Sequence, residues 1–298
     1  MTGSGPLLAG DRVRCVGELL TDVVAHLPEQ LAVASDTRAS VRLTGGGAAA
    51  NTAAWLAELG VPVALAARVG DDAAGRALID DLARRGVVVD GIEVDPDVPT
   101  GACLVLVDAH GERTMVPDAG ANVALSTVGW RPGEHLHLSA YALFHPGVRE
   151  LVLGESAAAR AAGASVSIDV ASAAPLRQLG PDTVRTWCDG ALVLANLDEA
   201  RVLTGRGDPG AAALELATWG RAAIVKAGRD GAWVAQDDVV ERVAVEKAVT
   251  APVDSTGAGD AFAAGLVAAL LQGATLTAAV PAAHATAQRA IANIGARP

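Results

Sequence analysis

Asp254-Ser-Thr-Gly-Ala-Gly-Asp260 runs without a break into the apolar stretch Ala261–Leu271, and the reading of the chain turns on this segment. The small residues Gly257, Ala258 and Gly259 let a backbone turn sharply into a helix. Consecutive free N–H groups at such a turn form a concave anion site, which the positive end of the helix dipole reinforces. Asp260 falls in the first helical turn beside that site. A carboxylate there stays ionised, yet it accepts a proton from an attacking hydroxyl as charge leaves that hydroxyl. An anion site next to a base suits phosphoryl transfer, where positioning and charge stabilisation dominate. The same residues also fit a plain glycine turn with Asp260 as a helix N-terminal carboxylate, so the rest of the chain has to decide.

Downstream, no formally charged residue occurs between Asp260 and Arg289. Gly265, Gln272, Gly273 and Pro281 interrupt this alanine-rich stretch, which predicts two buried helices broken near Gly273 rather than a membrane span. Upstream, short β-like apolar runs alternate with longer helical stretches. Strands are expected at Val13–Val16, Val63–Ala67, Cys103–Val107, His135–Leu138, Ser165–Val170, Leu192–Ala195 and Ala223–Val225. Helices are expected at Ala48–Leu59, Ala73–Arg84, Val148–Ala162, Gly210–Trp219 and Ala258–Leu271, several followed by a glycine (Gly60, Gly86, Gly163, Gly220) where a helix stop belongs. Continuous apolar strands separated by helices imply a mostly parallel sheet covered on both faces. Leu19–Leu43 and Pro99–Pro117 break the rhythm with extended, alternating segments. In the second, Asp108-Ala-His-Gly111 reads as a turn between Cys103–Val107 and Arg113–Val116. A small antiparallel flap attached to the main sheet accounts for both.

Composition narrows the chemistry. The 298 residues are 51% hydrophobic and carry a formal net charge of −11. Such a surface repels phosphate backbones and anionic lipid, so neither nucleic acid nor membrane is expected as a partner. Cys15, Cys103 and Cys188 lack metal spacing and fit buried thiols in a reducing cytosol, and the N-terminal residues do not form a secretory signal, which together predict a cytoplasmic protein. The only lysines, Lys226 and Lys247, are each followed by alanine, so a Walker A loop is absent. The first strand leads into Gly17-Glu-Leu-Leu rather than GxGxxG, and neither GxSxG nor HExxH occurs. His135 and His137, two apart on one strand, fit strand-end packing or hydrogen bonding better than metal ligation.

Two motifs give the chain a resemblance to the ribokinase-like (PfkB) carbohydrate kinase family. One is Gly46-Gly47-Ala-Ala-Ala-Asn51-Thr-Ala53, continuing to Gly60 and Gly70 at the family's spacing. The other is Asp254–Asp260 with Ala264-Gly265 following. Asn196-Leu-Asp-Glu199 resembles the family's NxxE element, and Gly17–Asp22 resembles its first substrate-binding segment. The resemblance covers nearly the whole chain. It implies one kinase domain over residues 1–298, an α/β/α three-layer sandwich with a mostly parallel sheet, and a β lid inserted from about 19–43 and 99–117. It also implies an ATP- and Mg²⁺-dependent enzyme, activated by K⁺, that pairs as a homodimer through its lids.

Residue by residue, the resemblance makes Asp260 the base and the amides of Gly257, Ala258 and Gly259 the cradle of the transferred phosphoryl group. Asp254 would bind the monovalent cation, with carbonyls around Asn293–Gly295 completing that site. Asn196 and Glu199 follow the buried run Ala191–Ala195, at a strand's C-terminal end where ligands of open α/β sheets collect. Asn196 would contact the triphosphate and Glu199 would act through Mg²⁺ and its waters. A helix start with Asp198 and Glu199 as first-turn acids explains the same residues without a ligand. Asp22 and Asn51 suit a polyol, since a carboxylate accepts from two hydroxyls and an amide both donates and accepts. Each also has a plainer reading, a solvated turn acid for Asp22 and a helix cap for Asn51. Gly46 and Gly47 would let a sugar approach the backbone. Lys226-Ala-Gly228-Arg-Asp-Gly231 resembles the nucleotide loop, with lysine where threonine is common, and makes Lys226, Gly228 and Gly231 ATP-site residues. Gly120-Ala-Asn122 matches a stretch read as structural.

The acceptor is expected to be a small sugar of pentose or hexose type. Ala48 stands where ribokinases usually carry lysine, which speaks against ribose itself. A phosphorylated sugar would call on Arg42 or Arg113. A ribonucleoside such as adenosine or pseudouridine is the rival, its base needing a wall from Tyr141, Phe144 or Trp55. A non-catalytic sensor on the same fold would be expected to lack Asp260, the glycine loop or Glu199, all of which are present.

Overall fold

The computed structural model describes residues 7–110, 113–246 and 254–298. Met1–Pro6, Gly111 of the expected turn and Lys247 lie outside them. Strands follow in chain order as β1 (Arg12–Val16), β2 (Leu20–His26), β3 (Ser40–Gly46), β4 (Val63–Gly70), β5 (Ile92–Asp95), β6 (Thr100–Val107), β7 (Arg113–Gly120), β8 (Glu134–Ser139), β9 (Val166–Asp169), β10 (Leu192–Asn196), β11 (Ala222–Lys226), β12 (Ala232–Gln236) and β13 (Val239–Val243). Nine of them form one sheet in the order β13-β12-β11-β10-β9-β8-β1-β4-β5. Every pair from β11 across to β5 is parallel; β12 and β13 close the other edge as antiparallel strands.

Helices cover both faces, as continuous apolar strands require. One face packs the helices Ala48–Glu58, Ala73–Arg84, Ala258–Leu271 and Leu276–Ile291. The other packs Pro146–Ala161, Ala173–Leu179, Pro181–Trp187, Leu197–Thr204 and Pro209–Ala217. The uncharged stretch after Asp260 is indeed two helices, Ala258–Leu271 and Leu276–Ile291, separated at Gly273, whose φ is 90°. They pack closely because Gly265 has no side chain: a Cβ there would stand 2.5 Å from Thr286 Oγ1. Among the described residues no helix is long and apolar enough to cross a membrane.

The two irregular regions meet in a separate four-stranded sheet, β3-β2-β6-β7. It differs from the expected flap in two ways. None of its strands pairs with the main sheet, and its central pair β2–β6 is parallel, flanked by antiparallel β3 and β7. The topology explains this. β2 follows β1 and β6 follows β5 after short connections, and β1 and β5 belong to the same parallel run. Both strands therefore leave the main sheet in the same sense.

His135 and His137 are fully buried on β8 and hydrogen-bonded to serines, His135 to Ser165 and Ser167 at 2.8 Å and His137 to Ser167 at 2.9 Å. Burial depresses them to about 3 and about 4, so both are neutral packing residues at neutral pH. Cys15, Cys103 and Cys188 are free and buried.

Candidate active site

Five parallel strands end on one cleft of about 880 Å³, which the four-stranded sheet roofs. Their carboxyl ends contribute Glu18 just past β1, Ser139 of β8, Asp169 of β9, Asn196 of β10 and Lys226 of β11. The register sets these ends level, with Ser139 opposite Asp169 and Asn196 opposite Lys226. Helix Ala258–Leu271 points its N-terminus at the same place, delivering Gly257, Ala258, Gly259 and Asp260.

Gly257 is left-handed (φ 73°), and a Cβ on it would come within 2.6 Å of Ala296 O, so glycine is required on both counts. The Ala258 N–H makes a long contact of 3.4 Å to Ser255 O, while the Gly257 and Gly259 amides meet no acceptor among the described residues. Two of the three expected anion donors are therefore open. Lys226 adds a fixed charge there: a Cβ on Gly259 would lie 3.5 Å from Lys226 Nζ.

Asp260 accepts a hydrogen bond from Asn51 Nδ2 at 2.9 Å through Oδ2. The carboxyl does not stay fully ionised as its place at the helix start predicts: burial pushes it up to about 7, with the Asn51 bond and the Lys226 charge opposing the rise and the Asp169 and Asp22 charges adding to it. Asn51 is not a helix cap, because Gly47 occupies that position and Asn51 turns its side chain into the cleft. Asp22 is no solvated turn acid either. It sits buried on β2, and burial lifts it to about 6 against the opposing charge of Arg297.

The paired glycines have a reason that motif spacing does not show. A side chain on Gly46 would collide with the Asp22 carboxylate, and one on Gly47 with Glu18 O. The protein's own atoms thus give a reason for glycine at both positions, and Gly47 also lines the cleft.

Asn196 and Glu199 form a reciprocal capping box. Asn196 Oδ1 accepts from Glu199 N at 2.9 Å and Glu199 Oε2 accepts from Asn196 N at 2.7 Å. Asn196 Nδ2 also donates to Glu199 Oε1 at 2.5 Å. Glu199 is a buried residue rather than a surface first-turn acid. Burial, with the Asp169 charge, raises its carboxyl to about 8. Lys226 Nζ pairs with Asp169 Oδ2 at 2.5 Å. Burial works against the lysine's charge, but Asp169 and Glu199 outweigh it and raise its pKa. Gly228 (φ 56°) lines the cleft in a short 3₁₀ turn, and Gly231 is held by its close approach to Val243 O.

Asp254 meets a guanidinium. Its Oδ1 accepts from Arg113 Nη2 at 2.5 Å, Thr256 N at 2.8 Å and Thr256 Oγ1 at 2.7 Å, and its Oδ2 from Gly295 N at 3.0 Å. Burial pushes the carboxyl up, yet these donors and the Arg113 charge outweigh burial and hold it below the usual range. The Asp254 carboxylate, expected to bind a monovalent cation, thus has the Arg113 guanidinium against its Oδ1, while its Oδ2 accepts, among the described residues, from Gly295 N alone. Arg113, expected only as a possible partner of a phosphate, is the cation there.

Asp169, Glu18 and Arg297 join the site without having been singled out. Asp169 had a signal, since it ends the expected strand Ser165–Val170 on the carboxyl side. Arg297 had none. Of the aromatic candidates only Tyr141 lines the cleft. Trp55 is buried with Nε1 on Ala296 O at 2.9 Å, and Phe144 packs on Trp187 with ring centroids 6.1 Å apart. Asn122 is structural, binding the Leu19 N–H and carbonyl from a buried position.

Open amides at a helix start with a buried carboxylate beside them, on a doubly covered α/β sheet, suit a phosphotransferase. The pfkB family carbohydrate kinase profile matches residues 11–298, and the chain belongs to that family. It is thus a carbohydrate kinase, transferring phosphate to an alcohol. A fructokinase of Klebsiella pneumoniae is 33% identical over 237 residues, 76% of each chain. The structure of adenosine kinase from Sinorhizobium meliloti superposes with a TM-score of 0.85 at 24% identity, covering 97% of this chain and 96% of that one. A double mutant of fructokinase from Vibrio cholerae, solved with fructose, ADP and potassium ion, gives 0.80 at 27% identity over 97% and 94%.

Proposed function

We propose that this chain transfers the γ-phosphoryl group of ATP to a primary hydroxyl of a small sugar, with Asp260 as base. The observation that carries the reading is the junction of Asp22 and Asn51 with Asp260 in one cleft, at the mouth of the Gly257–Gly259 turn. The acceptor hydroxyl, held by Asp22 and Asn51, gives its proton to Asp260 as its oxygen bonds to the γ-phosphorus. The bond from that phosphorus to the bridging oxygen of ADP breaks, and ADP leaves with the bond's electrons. A base with a pKa of about 7 is close to half ionised at neutral pH and readily accepts the proton. The Gly257 and Gly259 amides and Lys226 face the charge that moves onto the phosphoryl oxygens. Asn196, Gly228 and Gly231 would border the rest of the nucleotide.

Among the described residues no three acidic or metal-ligating side chains converge to hold a metal directly, so Mg²⁺ would be held through water and the phosphates, with Glu199 facing it from the cleft wall. Glu199 would hold the ion through water, and the ion would neutralise phosphate charge. At the Asp254 loop we assign the positive charge to Arg113 instead of K⁺.

The four-stranded sheet is proposed as a lid over the acceptor. Its outer face exposes Leu43, Leu104 and Val116, aligned in register across β3, β6 and β7 through Val23 of β2, and a second copy of the chain would cover them as a homodimer. A cytoplasmic enzyme without nucleic-acid or membrane partners agrees with the acidic surface. Tyr141 favours a second reading, in which a nucleoside base stacks beside Glu18 and Ser139.

An ADP-release screen with Mg²⁺ over pentoses, hexoses, sugar acids, sugar phosphates and ribonucleosides tests both. A sugar hit supports the first reading and a nucleoside hit the second. Silence with ATP binding absent would refute the nucleotide site.

A further inference from the structure

The Arg297 guanidinium lies buried behind the Gly45–Gly47 turn. Its Nη2 donates to Gly46 O at 2.8 Å, its Nη1 to Asp81 Oδ2 at 3.0 Å and its Nε to Asn51 Oδ1 at 3.1 Å. Asn51 passes the contact on, donating from Nδ2 to Asp260 Oδ2. An amide has a fixed polarity, its oxygen accepting and its nitrogen donating. Arg297 can only donate and an ionised Asp260 can only accept, so one orientation of Asn51 satisfies both. The flipped amide would set its NH₂ against the guanidinium and its oxygen against the carboxylate. Each mismatch leaves a buried polar group unpaired.

We propose that Arg297 is a positioning residue for phosphoryl transfer: it locks the Asn51 amide so that its NH₂ holds Asp260 Oδ2, leaving Asp260 Oδ1 free for the acceptor's proton. The inference rests on Asp260 being the base. The planar fork suits the task, since three of its nitrogens reach three different elements at once. Through Gly46 O it ties the acceptor loop to the base, and through Asp81 it anchors both to the helix Ala73–Arg84.

The test follows the Asp260 carboxyl itself by ¹³C NMR against pH in the intact protein, the resonance being assigned by its loss in Asp260→Asn. The other groups that act on Asp260 are Asp22, Asp169, Lys226, Cys15 and Tyr141, and none is altered. Arg297→Met is expected to raise the midpoint by about one pH unit, because the Asn51 bond that favours the ionised form is lost. Asn51→Ala should raise it similarly, and the double variant little further, since the second change removes a bond already gone. Arg297→Lys keeps the buried charge without the fork and carries the same cycle if the Met variant does not fold. Additive shifts in that cycle, or no shift on replacing Arg297, would overturn the proposal. Failure of the base assignment shows separately, as turnover surviving in Asp260→Asn.

Discussion

Replacing Lys226 with methionine removes the one ammonium among the described residues that faces Asp169, Glu199 and Asp260, while keeping most of the side-chain volume. Three consequences follow from its position. First, Asp169 loses a partner at 2.5 Å; because the pair is partly solvated (14% and 17% exposed), the stability cost is about 1–3 kcal/mol, below that of breaking a fully buried pair. Second, Lys226 opposes the rise in the Asp260 pKa, so its loss moves that carboxyl upward from about 7. A further rise of about one to two pH units cuts the ionised fraction at pH 7 from about half to below roughly one in ten. Third, the ammonium stands over Gly259, where the transferred group arrives, and losing one such preorganised charge costs about 10²–10³ in kcat. The effects multiply: kcat should fall about 10³-fold or more at pH 7 and recover part of that at pH 9, where Asp260 is again ionised. ADP release measured from pH 6 to 9, with the acceptor identified in the screen, reads both components. A kcat within about threefold of the wild type and an unmoved pH midpoint would refute the reasoning.

Asp260→Asn should lower kcat by at least about 10³-fold while acceptor affinity, read by calorimetry, changes little; unchanged turnover would remove the base assignment. With Arg113 on Asp254, exchanging Na⁺ for K⁺ should alter the wild-type rate less than about twofold, whereas Arg113→Met should become K⁺-dependent because a bare carboxylate then faces the loop. In the ligand-free protein the melting temperature should fall as pH rises from 6.5 to 8. Glu18 and Asp260 at about 7 and Glu199 at about 8 have raised folded pKa values, so stability present at low pH is lost as pH climbs through them. His135 and His137, depressed to about 3 and about 4, act in the opposite direction but only below about pH 6.5, where the unfolded histidines protonate. A flat or rising melting curve by calorimetry would show that these carboxyls are not held protonated.

The main sheet was legible because its strands are continuous apolar runs buried on both faces, and the periodicity of the intervening helices is strong. What escaped was locally weak. The β12–β13 hairpin turns on Asp237-Asp238, both left-handed (φ 50° and 62°), where glycine or asparagine would have announced the turn. The helices Ala173–Leu179 and Pro181–Trp187 are too short for a periodic signal. The parallel β2–β6 pair is a consequence of topology: its strands are distant in sequence, and no local pattern encodes their direction.

The glycines show why the family is so visible in the sequence while the acceptor is not. Gly46 gives way to the Asp22 carboxylate, Gly47 to Glu18 O, Gly257 to Ala296 and Gly265 to Thr286. All four are demanded by contacts within the protein, contacts that bring the acceptor loop, the base and the last two helices together. Any kinase closing its cleft this way needs them whatever it phosphorylates. The motifs therefore record how the catalytic centre is assembled. Glu18, Met115 and Tyr141 reach the cleft without constraining the backbone, and on the proposed reading it is such side chains that would choose the acceptor. Met115 and Tyr141 lie outside the matched motifs, and the Gly17–Asp22 segment around Glu18 does not itself specify the acceptor, because only the bound molecule fixes what such side chains must be.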